Sequence, residues 1–225
     1  MRLLLIAFLL AAPGAYAARP FITDDARLVD KGGCQIETFV KRQQRFDENE
    51  FWFVPSCNPW GPVELSLGGI WVASAAPGNS RALTAQAKTL LRPLTTNGYG
   101  FALAIGATRL TPFDAKSVVN PYFNTMASIS FADDRVVIHG NLGGVRDKVA
   151  NLSRGTWGVG AEALLIAPRL YGIAETYGQQ GEKPTLHGGL RYWLVPDRVQ
   201  LDSTIGLQNS SPERRFATVG LRVLW

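Results

Sequence analysis

Charged and amide side chains recur at alternate positions along this chain, a spacing that places them on one face of extended strands. That face carries carboxylates, amines, guanidinium groups, amides and both histidines: Glu37, Lys41, Glu64, Gln86, Lys88, His139, Asn141, Glu162, Glu175, His187, Arg191, Asp202 and Arg222. Opposite charges around an enclosed interior could line a narrow polar pore and set its selectivity for small solutes. The same groups could pair across the interior and close it. The pore is the favoured interpretation, and a closed, salt-bridge-plugged scaffold is the alternative.

The histidines also suggest a hydrolytic site. Ser128 and Ser130 lie on the segment before His139, and a serine nucleophile needs a base within hydrogen-bond reach and a group that orients the base. No fixed spacing in the sequence shows that arrangement. Interior histidines bonded to neighbours are therefore favoured over a membrane-embedded lipid hydrolase, and the sequence predicts no enzyme, no catalytic residue, no cofactor and no metal site.

These side chains must be positioned by strands, because twelve segments with a period of two follow one another from Cys34 to the end of the chain. Their predicted bounds are 34–43, 50–57, 63–75, 81–91, 98–109, 119–131, 135–146, 155–166, 170–178, 184–194, 199–207 and 214–225. Turn residues such as Asn97-Gly98 and Pro196-Asp197 separate the segments. The chain is therefore predicted to be all-β.

The composition of the two strand faces separates a soluble sandwich from a membrane barrel. In the last strand one face carries Ala217, Val219, Leu221, Val223 and Trp225. The opposite faces of the strands hold Gly, Ala, Thr and isolated charges, whereas a soluble sheet is usually wet and charged on its outer face. We therefore predict a closed antiparallel transmembrane β-barrel of about 12 strands with short loops, spanning residues 34–225, in which large apolar side chains face lipid. A soluble secreted lipid-binding barrel, with those side chains inside, is the rival.

Residues at the strand ends fit two membrane interfaces. With both termini on the periplasmic side, the predicted interface aromatics are Tyr99, Tyr192 and Trp225 at the lower rim and Trp71 and Trp157 toward the upper rim. The charged residues on the apolar face all fall at strand ends of the upper rim: Arg42, Arg81, Arg109, Arg146 and Arg215. Long cationic side chains at that height can reach the lipid headgroups.

The composition and the N-terminal residues limit the classes of protein to which the chain could belong. The chain has 225 residues, of which 18% are charged, below the roughly 25% of soluble domains. A net charge of +5 would permit nucleic-acid binding, but the basic residues are scattered singly, so no nucleic-acid partner is predicted. Residues 1–17 have a basic start, a short apolar stretch and an Ala-x-Ala end, and they are predicted to be a signal peptide.

The two cysteines are predicted to form a structural disulfide. Cys34 begins the first predicted strand and Cys57 ends the second. A hairpin centred near Arg45-Phe46 pairs positions whose numbers sum to 91, and 34 + 57 = 91. The cysteines should therefore face each other directly across neighbouring strands, within bridging reach.

The stretch between the signal peptide and the first strand, residues 18–33, is predicted to be a periplasmic tail. Its Thr23-Asp24-Asp25 run could be half of a cation site, but a solvated tail is favoured. A further hypothesis places the tail in the lower mouth of the barrel as a partial plug, with its carboxylates meeting Lys88 or Arg191.

Two stretches resemble known bacterial outer-membrane barrels. The last strand, from Phe216 to Trp225, alternates and ends in an aromatic residue. It resembles the C-terminal signal of outer-membrane barrels, in which the final aromatic is more often Phe. The runs RPFITDDA at 19–26, KGG at 31–33 and QIE at 35–37 resemble an outer-membrane transporter family labelled as proteins of the meta-pathway of phenol degradation.

This resemblance implies location and transport but no catalytic residue. The expected location is the outer membrane of a Gram-negative bacterium, and the expected function is porin-like passive passage of small solutes, including small aromatic or organic compounds. The expected partners are the lipid bilayer, the outer-membrane assembly machinery through the last strand, and those solutes.

Overall fold

The structure is a computed structural model that describes residues 21–43, 48–73, 79–111, 116–148, 150–208 and 215–225. The predicted signal peptide, residues 1–17, lies outside this part of the chain. The described residues contain no helix that could span a membrane.

Twelve strands follow the period-two segments of the sequence. They are β1 (Cys34–Gln43), β2 (Glu48–Cys57), β3 (Val63–Ala73), β4 (Ser80–Arg92), β5 (Tyr99–Thr111), β6 (Val118–Phe131), β7 (Val136–Asp147), β8 (Leu152–Ile166), β9 (Leu170–Gln179), β10 (Thr185–Val195), β11 (Val199–Gln208) and β12 (Arg215–Leu224). Every predicted bound lies within three residues of the observed one. The agreement follows from the pleat, because alternation of side chains is a local property of an extended backbone.

Each strand pairs antiparallel with its neighbours in the sequence, and β1 pairs with β12 to close the barrel. The closing ladder runs from Gln35 opposite Leu224 to Gln43 opposite Phe216. Closure satisfies the backbone groups that an open edge would leave unpaired, which a lipid environment requires. The predicted closed antiparallel barrel of 12 strands is confirmed.

The distribution of apolar and polar side chains between the outer and inner faces of the wall is the reverse of that in a soluble barrel. Large apolar side chains such as Leu67, Ile105, Leu142 and Ile205 point outward and are exposed by 60% or more. Away from the strand ends, charged and amide side chains point inward, and most of them are buried. The soluble lipid-binding barrel is therefore the wrong alternative, because it would keep the large apolar residues inside. The interface aromatics Trp71, Tyr99, Trp157, Tyr192 and Trp225 are all exposed.

The end of the barrel that holds Cys34 and Trp225, here called the terminal end, carries the two shortest connections, and its other three have four to six residues. The β8–β9 and β10–β11 turns have three residues each. In the latter turn Asp197 has a φ of 58°, a conformation that Asp adopts more readily than most residues. The connections at the opposite end, here called the loop end, have four to six residues.

The predicted disulfide joins β1 and β2 at the terminal end. Cys34 and Cys57 are direct cross-strand partners and are bonded to each other. The bridge adds a covalent connection beside the β1–β12 closure, because Cys34 N also donates to the carbonyl of Trp225 at 2.9 Å.

Candidate functional site: a lumen filled by the N-terminal segment

Residues 21–29, here called the plug segment, run inside the barrel. Phe21, Thr23 and Val29 are nearly inaccessible to solvent, and Ala26 is fully buried. The favoured expectation of a solvated tail is therefore wrong for these residues. The alternative hypothesis, that the tail enters the lower mouth as a partial plug, describes what the structure shows.

The backbone of the plug segment bonds to side chains of the wall. Ile22 N and Thr23 N donate to the two carboxylate oxygens of Glu175 at 2.9 and 2.7 Å. Asn141 accepts from Asp24 N and donates to Asp24 O, each at 2.7 Å. Ala26 N donates to Ser128 Oγ at 2.9 Å, and Val29 N donates to Glu64 Oε2 at 2.8 Å. An extended segment with no neighbouring strand must find such partners, since buried amides are rarely left unpaired.

Charged side chains hold the plug segment as well. Lys88 Nζ lies 2.9 Å from Asp24 Oδ1 and 3.3 Å from Asp25 Oδ1. Arg27 Nη1 lies 3.1 Å from Glu162 Oε1. The structure thus pairs the acidic residues of the tail with Lys88, the first of the two partners named in the plug hypothesis. The Thr23-Asp24-Asp25 run faces an ammonium group, which removes the need for a metal ion there.

A second network crosses the lumen between strands of the wall. Arg191 Nη1 lies 2.6 Å from Glu162 Oε2, and its Nε lies 3.2 Å from Asp202 Oδ1. Arg222 Nε donates to Gln35 Oε1 at 2.7 Å and lies 3.7 Å from Glu37 Oε1. These groups are almost fully buried, so each charge depends on its neighbours for stabilisation. The terminal half of the lumen is therefore packed by ion pairs and by the plug segment.

His187 is fixed by two bonds across the wall. Its Nδ1 is 2.6 Å from Glu175 Oε1, and its Nε2 is 2.6 Å from Thr204 Oγ1. Because Glu175 also accepts both amides of the plug segment, His187 orients the carboxylate that holds the segment. Its role in the structure is that of a hydrogen-bonded interior histidine.

Ser128 and His139 do meet, as direct partners across β6 and β7, with Oγ 2.8 Å from Nδ1. Both are fully buried, and Ser128 Oγ is already occupied by Ala26 N. Glu162 lies 3.7 Å from His139 Nε2 but is engaged by two guanidinium groups. The pair faces the lumen beneath the plug segment and has no approach from the lipid side. Among the described residues, no group of three or more His, Cys, Asp or Glu is arranged to hold a metal ion.

The loop half of the lumen contains a cavity of about 500 Å³, here called the vestibule. Aromatic side chains of its wall are Phe39, Trp52, Tyr122 and Tyr177, and its floor is the plug segment from Ile22 to Asp24. Phe39 and Trp52 stack with ring centroids 5.0 Å apart. Tyr122 OH donates to Gln86 Oε1 at 3.0 Å. The vestibule is mainly apolar, with hydroxyl and amide groups spaced around it.

All thirteen side chains that the sequence assigned to the lumen lie on the inner face. Eleven are buried, while Lys41 and Gln86 are partly buried toward the loop end. Lys41 pairs with Glu50 at 2.7 Å. The sequence analysis predicted neither the backbone contacts of the plug segment nor the aromatic part of the wall. Trp52 could have been found, because it follows Glu50 by two residues and therefore shares its face.

Strand β9 carries large apolar and aromatic side chains on its inner face. Its inner face carries Tyr171, Ile173 and Tyr177 together with Glu175, and Ile173 and Glu175 are buried. The large side chains of this strand point into the lumen because they pack beside the plug segment and the vestibule. The outward positions between the strand ends hold only small residues: Gly172, Ala174, Thr176 and Gly178.

The closed twelve-strand wall, with apolar residues outside and a polar interior, defines the protein as a porin-like β-barrel. The chain belongs to the family described as "Uncharacterised conserved protein UCP029691", whose model matches residues 5–225. No curated protein matches the chain in sequence.

Solved structures of outer-membrane proteins share the fold. A KdgM porin in complex with disordered oligogalacturonate has 10% identity, a TM-score of 0.60, and covers 85% of this chain and 98% of its own. The NanC porin has 7% identity and a TM-score of 0.60, covering 84% and 98%. The Ralstonia pickettii toluene transporter TbuX has 9% identity and a TM-score of 0.50, covering 90% of each chain. At these identities the similarity shows the fold alone.

Proposed function

We propose that the protein is an outer-membrane channel for small organic solutes whose lumen is closed at rest by its own N-terminal plug segment. The observation that carries the proposal is the division of the lumen into two halves. The loop half holds a cavity of about 500 Å³, and the terminal half is blocked by residues 21–29. Passage requires the plug segment to leave its place, because this segment fills the terminal half together with the wall networks of Arg191 and Arg222.

The way the segment is held supports a removable plug. Its backbone bonds to side chains of the wall, and it adds no strand to the barrel. Lys88 and Glu162, which bind it, belong to strands whose own ladders are complete without it. Withdrawal of the segment would therefore leave the twelve-strand wall intact.

The vestibule favours neutral solutes with a ring. Its volume falls in the roughly 300–1,000 Å³ range of small-molecule sites, and aromatic side chains form much of its wall. The charged groups at its floor and upper wall are paired: Asp24 with Lys88, and Glu50 with Lys41. Stacking on Trp52 and hydrogen bonds to Thr84 or Asn124 would suit a small hydroxylated aromatic compound, a solute class that also fits the meta-pathway resemblance of the sequence.

The location and partners follow from the same proposal. The protein would lie in the bacterial outer membrane, in contact with the lipid bilayer, after insertion by the assembly machinery through the strand from Phe216 to Trp225. The thirteen inner-face residues would tune passage once the plug segment is withdrawn. No catalytic step is assigned to Ser128 or His139.

The test is the conductance of the refolded mature chain in planar bilayers, compared with a variant that lacks residues 18–29. We expect the full chain to remain closed for long periods and the deletion variant to show sustained steps that scale with salt. Heat-modifiable gel migration and formation of the Cys34–Cys57 bridge check the fold of both. A folded deletion variant that stays silent would refute the channel and support the closed scaffold.

The solute class has its own readout in the open variant. A neutral hydroxylated aromatic compound should interrupt the current briefly, and its carboxylate counterpart should do so at least tenfold less often. Trp52→Ala should shorten these interruptions. Equal effects of both compounds, or no effect of Trp52→Ala, would refute the solute class while leaving the channel itself intact.

A further inference from the structure

A shallow trough crosses the outer surface of the wall toward the loop end. Three small residues lie near one height on the outward face: Ala174 on β9, Gly188 on β10 and Ala217 on β12. Ile205 lies between the last two and is 73% exposed. The trough has a volume of about 1,110 Å³ and is mainly apolar.

The trough is a surface feature and does not open into the lumen. The β10–β11 and β11–β12 ladders run without a break past Gly206. On the inner side the ring of Phe216 packs directly against Gly206, and His187 lies 5.2 Å from that ring. Whatever occupies the trough must therefore approach from the membrane.

Two arginines border the trough at the loop end. Arg42 is the direct partner of Ala217, and Arg215 is the direct partner of Leu207, whose side chain lines the trough. Among outward-facing side chains of the described strands, the charged ones at this end are all arginine: Arg42, Arg81, Arg109, Arg146 and Arg215. An arginine fork matches the oxygen geometry of a phosphate group.

We propose that this trough binds one phosphorylated glycolipid of the outer leaflet, with an acyl chain along Ala174, Gly188 and Ala217 and a headgroup phosphate at Arg42 and Arg215. The proposal rests on the outer-membrane location proposed above. The two shortest turns of the barrel lie at the terminal end, which suits the periplasmic side, so the arginine end is assigned to the outer leaflet. The trough supplies contact for a flexible chain, and the two arginines supply charge complementarity at its end.

Charge argues against a second copy of this chain as the occupant. Copies inserted in one membrane share one orientation, so their arginine-bearing ends meet at the same height. The strands described here offer no outward carboxylate at that height, so a neighbouring copy would place positive charge against positive charge. A lipid phosphate reverses that sign.

The test is native mass spectrometry of the delipidated protein in detergent, titrated with diphosphoryl lipid A or with phosphatidylethanolamine. We expect one tightly held lipid A, with binding weakened by salt, and at least tenfold weaker retention of phosphatidylethanolamine. Arg42→Gln/Arg215→Gln should reduce lipid A affinity at least tenfold, and Ala217→Phe should reduce it by filling the trough.

Matched controls lie elsewhere on the same outer face. Arg81→Gln/Arg109→Gln removes two arginines at the loop end of β4 and β5, and Ala127→Phe enlarges an outward alanine on β6. Each control should change the affinity less than twofold. Equal losses in the controls, equal retention of both lipids, or a native dimer abolished by Ala217→Phe would overturn the proposal. The conductance behaviour of Arg42→Gln/Arg215→Gln should match the unchanged protein, so failure here is distinct from failure of the channel.

Discussion

Lys88 is a cation of the wall that pairs with both carboxylates of the plug segment, and Lys88→Met tests its contribution to the proposed closure. The ammonium group lies within 3.3 Å of carboxylates from both Asp24 and Asp25, and Glu64 is its direct partner on β3. Met has a similar length and no charge. The substitution therefore keeps the volume of the side chain and removes the attraction between the wall and the plug segment.

The expected change in the open-to-closed equilibrium depends on which carboxylates become hydrated when the plug segment leaves the lumen. Removing one partner of a buried ion pair costs about 3–5 kcal/mol. Asp25 is buried, where it accepts a hydrogen bond from Arg27 N at 3.2 Å and lies 3.8 Å from Arg27 Nη1, whereas Asp24 is partly exposed and can hydrate in place. Glu64 stays in the wall in both states, so its penalty largely cancels. We take about 3 kcal/mol as the bias toward withdrawal of the plug segment, which corresponds to roughly a hundredfold change in the ratio of open to closed channels.

The assay is the open probability of single channels at fixed voltage and salt. Lys41→Met is the matched control, because Lys41 also lies on the inner face and pairs with a wall carboxylate, Glu50, but does not contact the plug segment. We expect Lys88→Met to raise the open probability about a hundredfold and Lys41→Met to leave it within a few-fold. If folded Lys88→Met opened no more often than the unchanged protein, or if Lys41→Met opened equally often, electrostatic closure would be refuted.

Three further substitutions test the wall. Glu162→Gln should lower the free energy of unfolding by about 3 kcal/mol, because Arg191 and Arg27 lose their shared carboxylate. Glu50→Gln, at a more exposed ion pair, should lower it by about 1 kcal/mol. Urea titrations of both variants in detergent micelles measure the two values, and equal values would show that burial does not matter. Cys34→Ser should cost about 3 kcal/mol, since the bridge closes a loop with a sequence separation of 23, and an unchanged unfolding midpoint would contradict that. Ile105→Arg, in the middle of the outward face of β5, should cost about 2–4 kcal/mol, whereas Thr111→Arg at the loop end should cost at most about 1 kcal/mol. Refolding yields in lipid vesicles compare the two, and equal yields would place Ile105 outside the lipid.

The location of the plug segment shows why part of the site was beyond the sequence. Residues 21–29 carry no strand period and lie next to β1 in the chain. Their partners, however, stand on β3, β4, β6, β7, β8 and β9. Asp24 and Asp25 were compatible with a solvated tail, half of a cation site or a plug. Only the distance to Lys88 decides among these, because charge pairing depends on where the wall brings side chains in space.

The aromatic part of the vestibule could not be predicted from the sequence for a different reason. Tyr, Trp and Phe occur both at a lipid interface and in a polar lumen, so residue type alone does not assign Tyr122 or Tyr177 to a face of the wall. The alternation of side chains along the strand assigns the face, once the faces of neighbouring residues are known. The thirteen polar residues were easier to assign to a face, because charge has a strong preference for one side of the wall.

The sequence by itself determined the twelve strands and the pairing of Cys34 with Cys57. These properties follow from the two-residue period of the pleat and from the arithmetic of a hairpin, both of which act over short distances along the chain. Only the tertiary structure shows that the plug segment and ion pairs fill the terminal half of the lumen. It also shows which groups form those ion pairs and how large a cavity remains above them. Those outcomes arise from groups far apart in sequence, such as Ile22 and Glu175, that meet only when the last strand closes on the first and fixes the width of the barrel.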